Sequence, residues 1–391
     1  PYGEVEAIRA MDGVESVYVE NQYEPDVDEP NTATAGTMIG SYNAWADGYT
    51  GAGSRVAIID TGLDIDHPSF DESAFLYGLE RSAARFGKQV SDYDLMTEED
   101  ITKVLPRLHA SERMSGLTAD ELYRTAKIPY AFNYIDEDLD VTHDNDAQGD
   151  HGTHVAGIVA ANPADGSVTG VAPQAQLMIL KVFPDGSTGA NSDDILAALE
   201  DCVTLGVDVV NLSLGSPAGF TYRSDLLSTM EVYDRLAKAG IIVAAAAGNE
   251  YSAAYKNLWG TDLSLTSNPD YGIVGSPSSY SQTLSVASAD NVTVRSAYFE
   301  AAGRKITFTD TATTNNPEGG FIRVLGGKTL DYVVVPGSGE EADYANLNVK
   351  GKVALVSRGV TTFAEKHEMA HAKGAAACIV YNTEAGMINM S

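Results

Sequence analysis

The chain has 391 residues, enough for two or three domains of about 150 residues each. Its 25 Lys and Arg stand against 55 Asp and Glu, and a formal net charge of −30 repels phosphate backbones and speaks against nucleic acid as a partner. Hydrophobic residues make up 44% and charged residues 20%, which supplies a core and excludes disorder as a whole-chain description.

Residues 1–28 read as a short leading piece. Val5, Ile8 and Met11 share one side of a helical run over 4–11, Asp12-Gly13 makes a turn, and 16–20 (SVYVE) alternates like a strand. The polar stretch from Pro25 to Pro30 reads as a linker. From about residue 40 strands and helices alternate. The apolar runs 55–60 (RVAIID), 176–182 (QLMILKV), 208–213 (DVVNLS), 240–247 (GIIVAAAA) and 283–288 (TLSVAS) suit strands buried on both faces. A helix is expected over 192–205, with Ser192 as N-cap, Asp193 and Asp194 in the first turn, and Ile195, Leu196, Leu199 and Val203 at helical spacing. Another is expected over 225–239, ending before Gly240. Such alternation predicts an α/β fold, a parallel sheet with helices on both faces.

Residues 71–135 are polar and partly helical and read as an insertion into that pattern. After about residue 291 the character changes to an α+β unit. It has strand-type runs at 329–335 and 352–357 and a helical run at 363–372 (FAEKHEMAHA). The expected boundaries are therefore 1–28, 29–291 and 292–391. With only two cysteines, Cys202 and Cys378, a disulfide-stapled scaffold is excluded; a single bridge is the alternative, but the two fall in different units and read as buried small apolar residues. No apolar run approaches the roughly 18 residues of a membrane span. The chain begins at Pro1, so it reads as processed or as a fragment, and the missing signal peptide carries no information on location.

Functional side chains in parallel sheets collect at the carboxyl ends of strands. Asp60 ends the first strand in Asp-Thr-Gly, where the carboxylate can orient a histidine or cap a turn. His151 opens a helix in His-Gly-Thr-His-Val-Ala-Gly (151–157), and a histidine at the exposed end of such a helix suits general-base chemistry or, alternatively, a core or capping role. A zinc pair of His151 and His154 lacks the Glu and the i,i+4 spacing of the zincin motif. Ser213, Leu214 and Gly215 end a strand in small residues whose backbone suits pairing with an extended peptide. Asn249 follows the alanine run and Gly248, where an amide donor suits a developing oxyanion or, alternatively, a turn. A dinucleotide site is disfavoured, because Gly51-Ala-Gly-Ser54 precedes the first strand instead of following it.

Taken together, Asp60-Thr-Gly, the His151 motif, Ser213 to Gly215 and Ala246-Ala-Gly-Asn249 resemble the subtilisin-like serine proteases in order and strand context, over roughly residues 40–290. The resemblance implies a serine endopeptidase acting on extracellular proteins. It implies Asp60 as orienting acid, His151 as general base, Asn249 as oxyanion donor, Ser213, Leu214 and Gly215 as the strand that holds substrate, and Gly248 beside the specificity pocket. Residues 127–136 (KIPYAFNYID) and the long insertion are similar to the lactocepin-like cell-envelope proteinases of Gram-positive bacteria, implying an extracellular or wall-attached enzyme. The runs 350–359, 363–366 and 374–382 resemble a protease-associated domain, a substrate-access module inserted in the catalytic domain. The leading residues resemble the end of an inhibitory propeptide, which makes that propeptide an expected partner beside protein substrates.

One departure stands out. The family's Gly-Thr-Ser nucleophile motif occurs nowhere in these 391 residues, and Ser391 lacks its glycine context. The expectation is a sequence truncated before the serine and inactive alone. The alternative is an inactive relative that binds extended peptides. No cofactor is required by this chemistry. Calcium at the acidic stretch 136–150 is weighed against a solvated acidic surface, because neither candidate loop completes an EF-hand pattern. His367 and His371, at i,i+4, read as a solvated helix face with a zinc pair as the alternative.

Overall fold

The computed structural model describes residues 11, 22–25, 35–142, 149–166, 168–186, 189–216, 227–249, 274–289, 297–308 and 320–383, with the backbone alone for 22–25 and 227–228. The chain forms two compact units, Pro1–Val294 and Arg295–Ser391.

The first unit is built on six parallel strands in the order β3-β4-β2-β6-β8-β9. In chain order, β1 is Gln22–Pro25, β2 Arg55–Asp60, β3 Tyr130–Asn133, β4 Gln176–Lys181, β5 Ala190–Asn191, β6 Val209–Leu212, β7 Leu214–Gly215, β8 Ile242–Ala246 and β9 Thr283–Val286. The five expected runs of this unit are all strands, but burial on both faces is corrected for two of them: β2 and β4 are covered from both sides, whereas Ile242 of β8 and Leu284 and Val286 of β9 are exposed. Alternate residues of β2 and β4 feed two cores. Ala57, Ile59, Met178 and Leu180 pack with Ile195, Leu199 and Leu236 from the helices Ser192–Leu205 and Leu227–Ala239. Val56, Ile58, Leu177 and Ile179 pack with Val155, Ala156 and Ala160 from the helix His151–Ala160. Helices therefore lie on both faces of the sheet.

Several expectations are corrected. The Ser192 helix has Asn191 at its N-cap, one residue before the expected cap. The stretch 71–135 is not a separate insertion throughout. Tyr130–Asn133 is the edge strand of the main sheet, paired to β4, and Ile101, Leu108 and Leu122 line the first core with no exposure. Most of its polar residues face outward, Ser82, Lys127 and Asn133 being buried exceptions, while these few apolar ones reach the core. Pro25 is not linker but the last residue of β1, the middle strand of a small antiparallel sheet β5-β1-β7. Its missing N–H is tolerated because a strand end need not donate. The helix of 4–11 apart from Met11 and the strand of 16–20 lie outside the described residues.

In the second unit β10 (Ala297–Ala301) and β11 (Arg304–Phe308) form a hairpin. Three parallel strands follow, β12 (Tyr332–Val335), β13 (Val353–Ser357) and β14 (Ala377–Tyr381). Val335, Ala354 and Val356 pack with Ala370 of the helix Phe363–Ala372 and with Tyr344. Cys202 is buried and Cys378 only half-buried, and both are free thiols. The second half of the cysteine expectation is thus corrected, because β14 is incompletely covered.

Candidate active site

Asp60 is the last residue of β2 and 1% exposed. Its Oδ1 accepts from the Thr61 amide at 2.7 Å and lies 2.7 Å from His151 Nδ1. The pairing fixes the tautomer logic: Nδ1–H donates to the carboxylate, leaving Nε2 available for proton transfer. His151 is the first residue of its helix but only 9% exposed, which corrects the expected exposed position. The turn after β2 packs over the start of the helix and buries the ring.

That packing is laced by reciprocal bonds. The Gly152 amide donates to Thr61 Oγ1 at 2.8 Å, and the Asp64 amide donates to Thr153 Oγ1 at 2.8 Å. The Leu63 amide donates to the Val141 carbonyl at 2.7 Å. Side chains are excluded at the two glycines. A Cβ on Gly152 would fall 2.2 Å from the Gly62 carbonyl oxygen, and one on Gly62 (φ +111°) would fall 2.2 Å from that of Val141. The Asp-Thr-Gly and His-Gly-Thr motifs are thus two halves of one contact. Only glycine lets the backbones close far enough for Asp60 to reach His151.

The other expected residues gather at the same end of the sheet. Ile58, Asn211 and Ala244 are aligned across β2, β6 and β8, so Asp60, which ends β2, and Ser213 and Asn249, which follow β6 and β8, all lie at the carboxyl ends of neighbouring strands. Ser213 interrupts the strand between β6 and β7, and its Oγ accepts from Asn211 Nδ2 at 3.0 Å. Leu214 and Gly215 are buried and pair antiparallel with Pro25 and Glu24. On its other side β1 pairs with β5, Gln22 opposite Asn191 and Tyr23 opposite Ala190. The expected peptide-holding strand therefore carries an extended segment of its own chain. Gly248 is half-buried with φ +101°, and Asn249 is exposed.

The zinc alternative for His151 and His154 is not assembled. His151 is buried against Asp60, and His154 is exposed on the same helix. His367 and His371 are both exposed on the helix Phe363–Ala372. Of the acidic stretch, residues 143–148 lie outside the described residues. Asp136 accepts from Asn133 Nδ2 at 3.0 Å, which ties it into a turn. Among the described residues no group of three His, Cys, Asp or Glu side chains converges as metal ligands.

Sequence reasoning missed two contributors. β5 is a two-residue strand too short for any periodic signal. Lys181 was legible as a lysine ending a buried apolar run. Its Nζ donates to the Thr61 carbonyl oxygen at 3.1 Å, directly beneath the Asp60 turn.

Comparison with known proteins agrees with this geometry. The family model described as "Subtilase family" matches residues 51–382. A PII-type proteinase of Lacticaseibacillus paracasei is 30% identical over 395 residues, 97% of this chain and 19% of its own length. The minor extracellular protease Vpr of Bacillus subtilis is 28% identical over 405 residues, 99% of this chain and 40% of its own. A C5a peptidase of Streptococcus pyogenes is 29% identical over 341 residues, 85% of this chain and 26% of its own. The chain thus spans between about a fifth and two fifths of these relatives' lengths. A match across 51–382, with the strand order and the Asp60–His151 contact described above, means that this chain belongs to the subtilase family.

Proposed function

We propose that these residues form part of an extracellular or wall-attached serine endopeptidase of the Gram-positive cell-envelope type. The observation that carries the reading is the buried 2.7 Å contact between Asp60 and His151 at the carboxyl end of a parallel sheet. His151 Nε2 takes the proton of a serine as it attacks a peptide carbonyl, then returns it to the leaving amine. Asp60 holds the imidazole and stabilises its protonated form. Asn249 donates to the tetrahedral oxyanion. The nucleophile in this reading is the family's Gly-Thr-Ser serine, which the 391 residues do not contain. They are proposed to be inactive by themselves.

Substrate is proposed to bind as an extended strand on Ser213 to Gly215, with Gly248 beside the pocket for the residue before the cleaved bond. The seating of Gln22–Pro25 between β5 and β7 supports this use of the edges, and supports the leading residues as the end of a propeptide. Residues 292–391 are proposed as a protease-associated domain that governs substrate access. Calcium is kept as a proposal for the acidic stretch alone.

A fluorophosphonate probe on the natural gene product tests the reading, and covalent labelling is the expected result. Absence of labelling, with peptide binding retained, would favour the second reading, a non-catalytic peptide binder. That reading rests on the same strand edges. In an active product Asn249→Ala is expected to lower kcat about 10²–10³-fold with little change in KM, a magnitude carried over from subtilisin, which belongs to this family. Equal losses in both would make Asn249 a substrate-positioning residue.

A further inference from the structure

We propose that Lys181 is a positioning residue for the Asp60–His151 pair and acts through Thr61. The catalytic meaning of this role rests on the peptidase reading above. Lys181 ends β4 and stands beside Asp60 in the parallel register. It is fully buried, with Nζ 3.1 Å from the Thr61 carbonyl oxygen and 3.4 Å from the Asp185 carboxylate. Its stem runs under the turn, since a Cβ on Gly62 would sit 3.2 Å from Lys181 Cδ. The Val182 amide donates to the Asp60 carbonyl at 3.1 Å, so the strand that carries the lysine is also stitched to the aspartate.

Thr61 is held from three directions. Its amide donates to Asp60 Oδ1, its hydroxyl accepts from the Gly152 amide beside His151, and its carbonyl accepts from Lys181. The first two bonds connect the two members of the pair. The third fixes the residue that makes the connection. A charge-assisted hydrogen bond in a buried site resists reorientation of its acceptor. Without the ammonium the Thr61 carbonyl loses its donor, and Thr61 can turn and carry its amide and hydroxyl out of line. Burying an ammonium is costly, and an apolar side chain of similar length would fill the space without that cost. The Asp185 carboxylate offsets part of that cost, and the bond to the Thr61 carbonyl puts the ammonium to use at the Asp60 turn.

The sign of one measurement separates this role from a plain electrostatic one. Removing a nearby positive charge raises the proton affinity of an imidazole, whereas loosening its hydrogen bond to a carboxylate lowers it. The test uses the whole 391-residue chain with nitrogen-15-labelled histidine. His151 is assigned among the seven histidines by its loss in His151→Gln. In Lys181→Met, with the fold verified by circular dichroism, the downfield Nδ1–H signal is expected to weaken. The His151 midpoint is expected to fall, a loss of roughly threefold or more in proton affinity. Lys181→Arg is expected to restore both. A folded Lys181→Met chain whose midpoint rises or stays, with the signal intact, overturns the proposal.

If Lys181→Met does not fold, the unmodified chain decides. A slowly exchanging Lys181 ammonium with a nuclear Overhauser contact to Thr61 supports the assignment, and an ammonium without that contact overturns it. Failure of the peptidase reading would appear separately, as a natural product that no fluorophosphonate labels, and would leave the His151 titration as it is.

Discussion

The two halves of the six-stranded sheet share one topology and differ in cover. In β2, β3 and β4 every residue except Arg55 is buried. In β8 and β9 the apolar side chains of Ile242, Leu284 and Val286 are 54%, 59% and 50% exposed. Asp60 ends a strand of the covered half, and Asn249 follows a strand of the open half. The difference shows where the precision of the site originates. The strand that carries Asp60 and the helix that carries His151 are packed into the cores on the two faces of the sheet. Asn249 stands three residues beyond β8, after Ala247, whose amide donates to the Val286 carbonyl and whose carbonyl accepts from the Gly275 amide.

The contrast between the covered and the open half has measurable consequences. The largest effect is expected at Lys127, which leads into the edge strand of the covered half. It is fully buried, donates to the carbonyls of Pro173 and Ala175 at 2.9 and 2.8 Å, and lies over the Phe75 ring. Burial lowers its pKa from 10.5 to about 7. Between those values the unfolded chain holds a proton that the folded chain lacks, so stability rises with pH, by at most about 5 kcal/mol. Denaturant unfolding at pH 7 and pH 10 should show wild type gaining on Lys127→Met as pH rises. A pH-independent gap would mean that the two carbonyls and the ring keep the ammonium charged.

Next in size is a pair of truncations across the sheet. Phe132→Ala, at a fully buried position in β3, should cost about 3–5 kcal/mol. Leu284→Ala in β9 should stay within about 0.5 kcal/mol. Similar losses at both sites would mean that β9 is covered in solution.

The smallest effect concerns how residues 105–134 are fastened to the helix Ser192–Leu205. His109 Nε2 lies 2.6 Å from Glu200 and Nδ1 lies 3.0 Å from Glu112, while Glu200 also pairs with Arg235. Burial pulls the imidazole pKa down, but Glu200, Asp201 and Glu112 outweigh it and the net shift is upward. Its contribution is complete below about pH 6.5 and fades as pH rises through the raised folded-state value. His109→Gln should therefore cost more at pH 5.5 than at pH 9, by under about 1 kcal/mol after solvent screening.

How much of this was legible follows from the same physics. Strands covered on both faces must be apolar throughout, so 55–60, 176–182 and 208–213 announced themselves. Tyr130–Asn133 did not, because four residues inside a polar stretch carry no period. The Asp60 and His151 motifs were readable because their glycines permit a backbone contact that any Cβ would block. β1 was hidden by Pro25, a residue that reads as punctuation until its partners are known. Lys181 was visible as a charge at the end of an apolar run, but its role depends on a register between strands far apart in sequence.

The seating of Gln22–Pro25 between β5 and β7 has a consequence for competition. Occupant and edges belong to one chain, so their association is unimolecular and dilution does not reverse it. A free peptide contesting these edges faces a rival on the same chain, and tethering of that kind raises the rival's effective concentration, to the order of millimolar in general. Its apparent affinity is reduced by the fraction of time the edges are already filled. Severing the connection would convert a fixed occupancy into one that the surrounding solution sets.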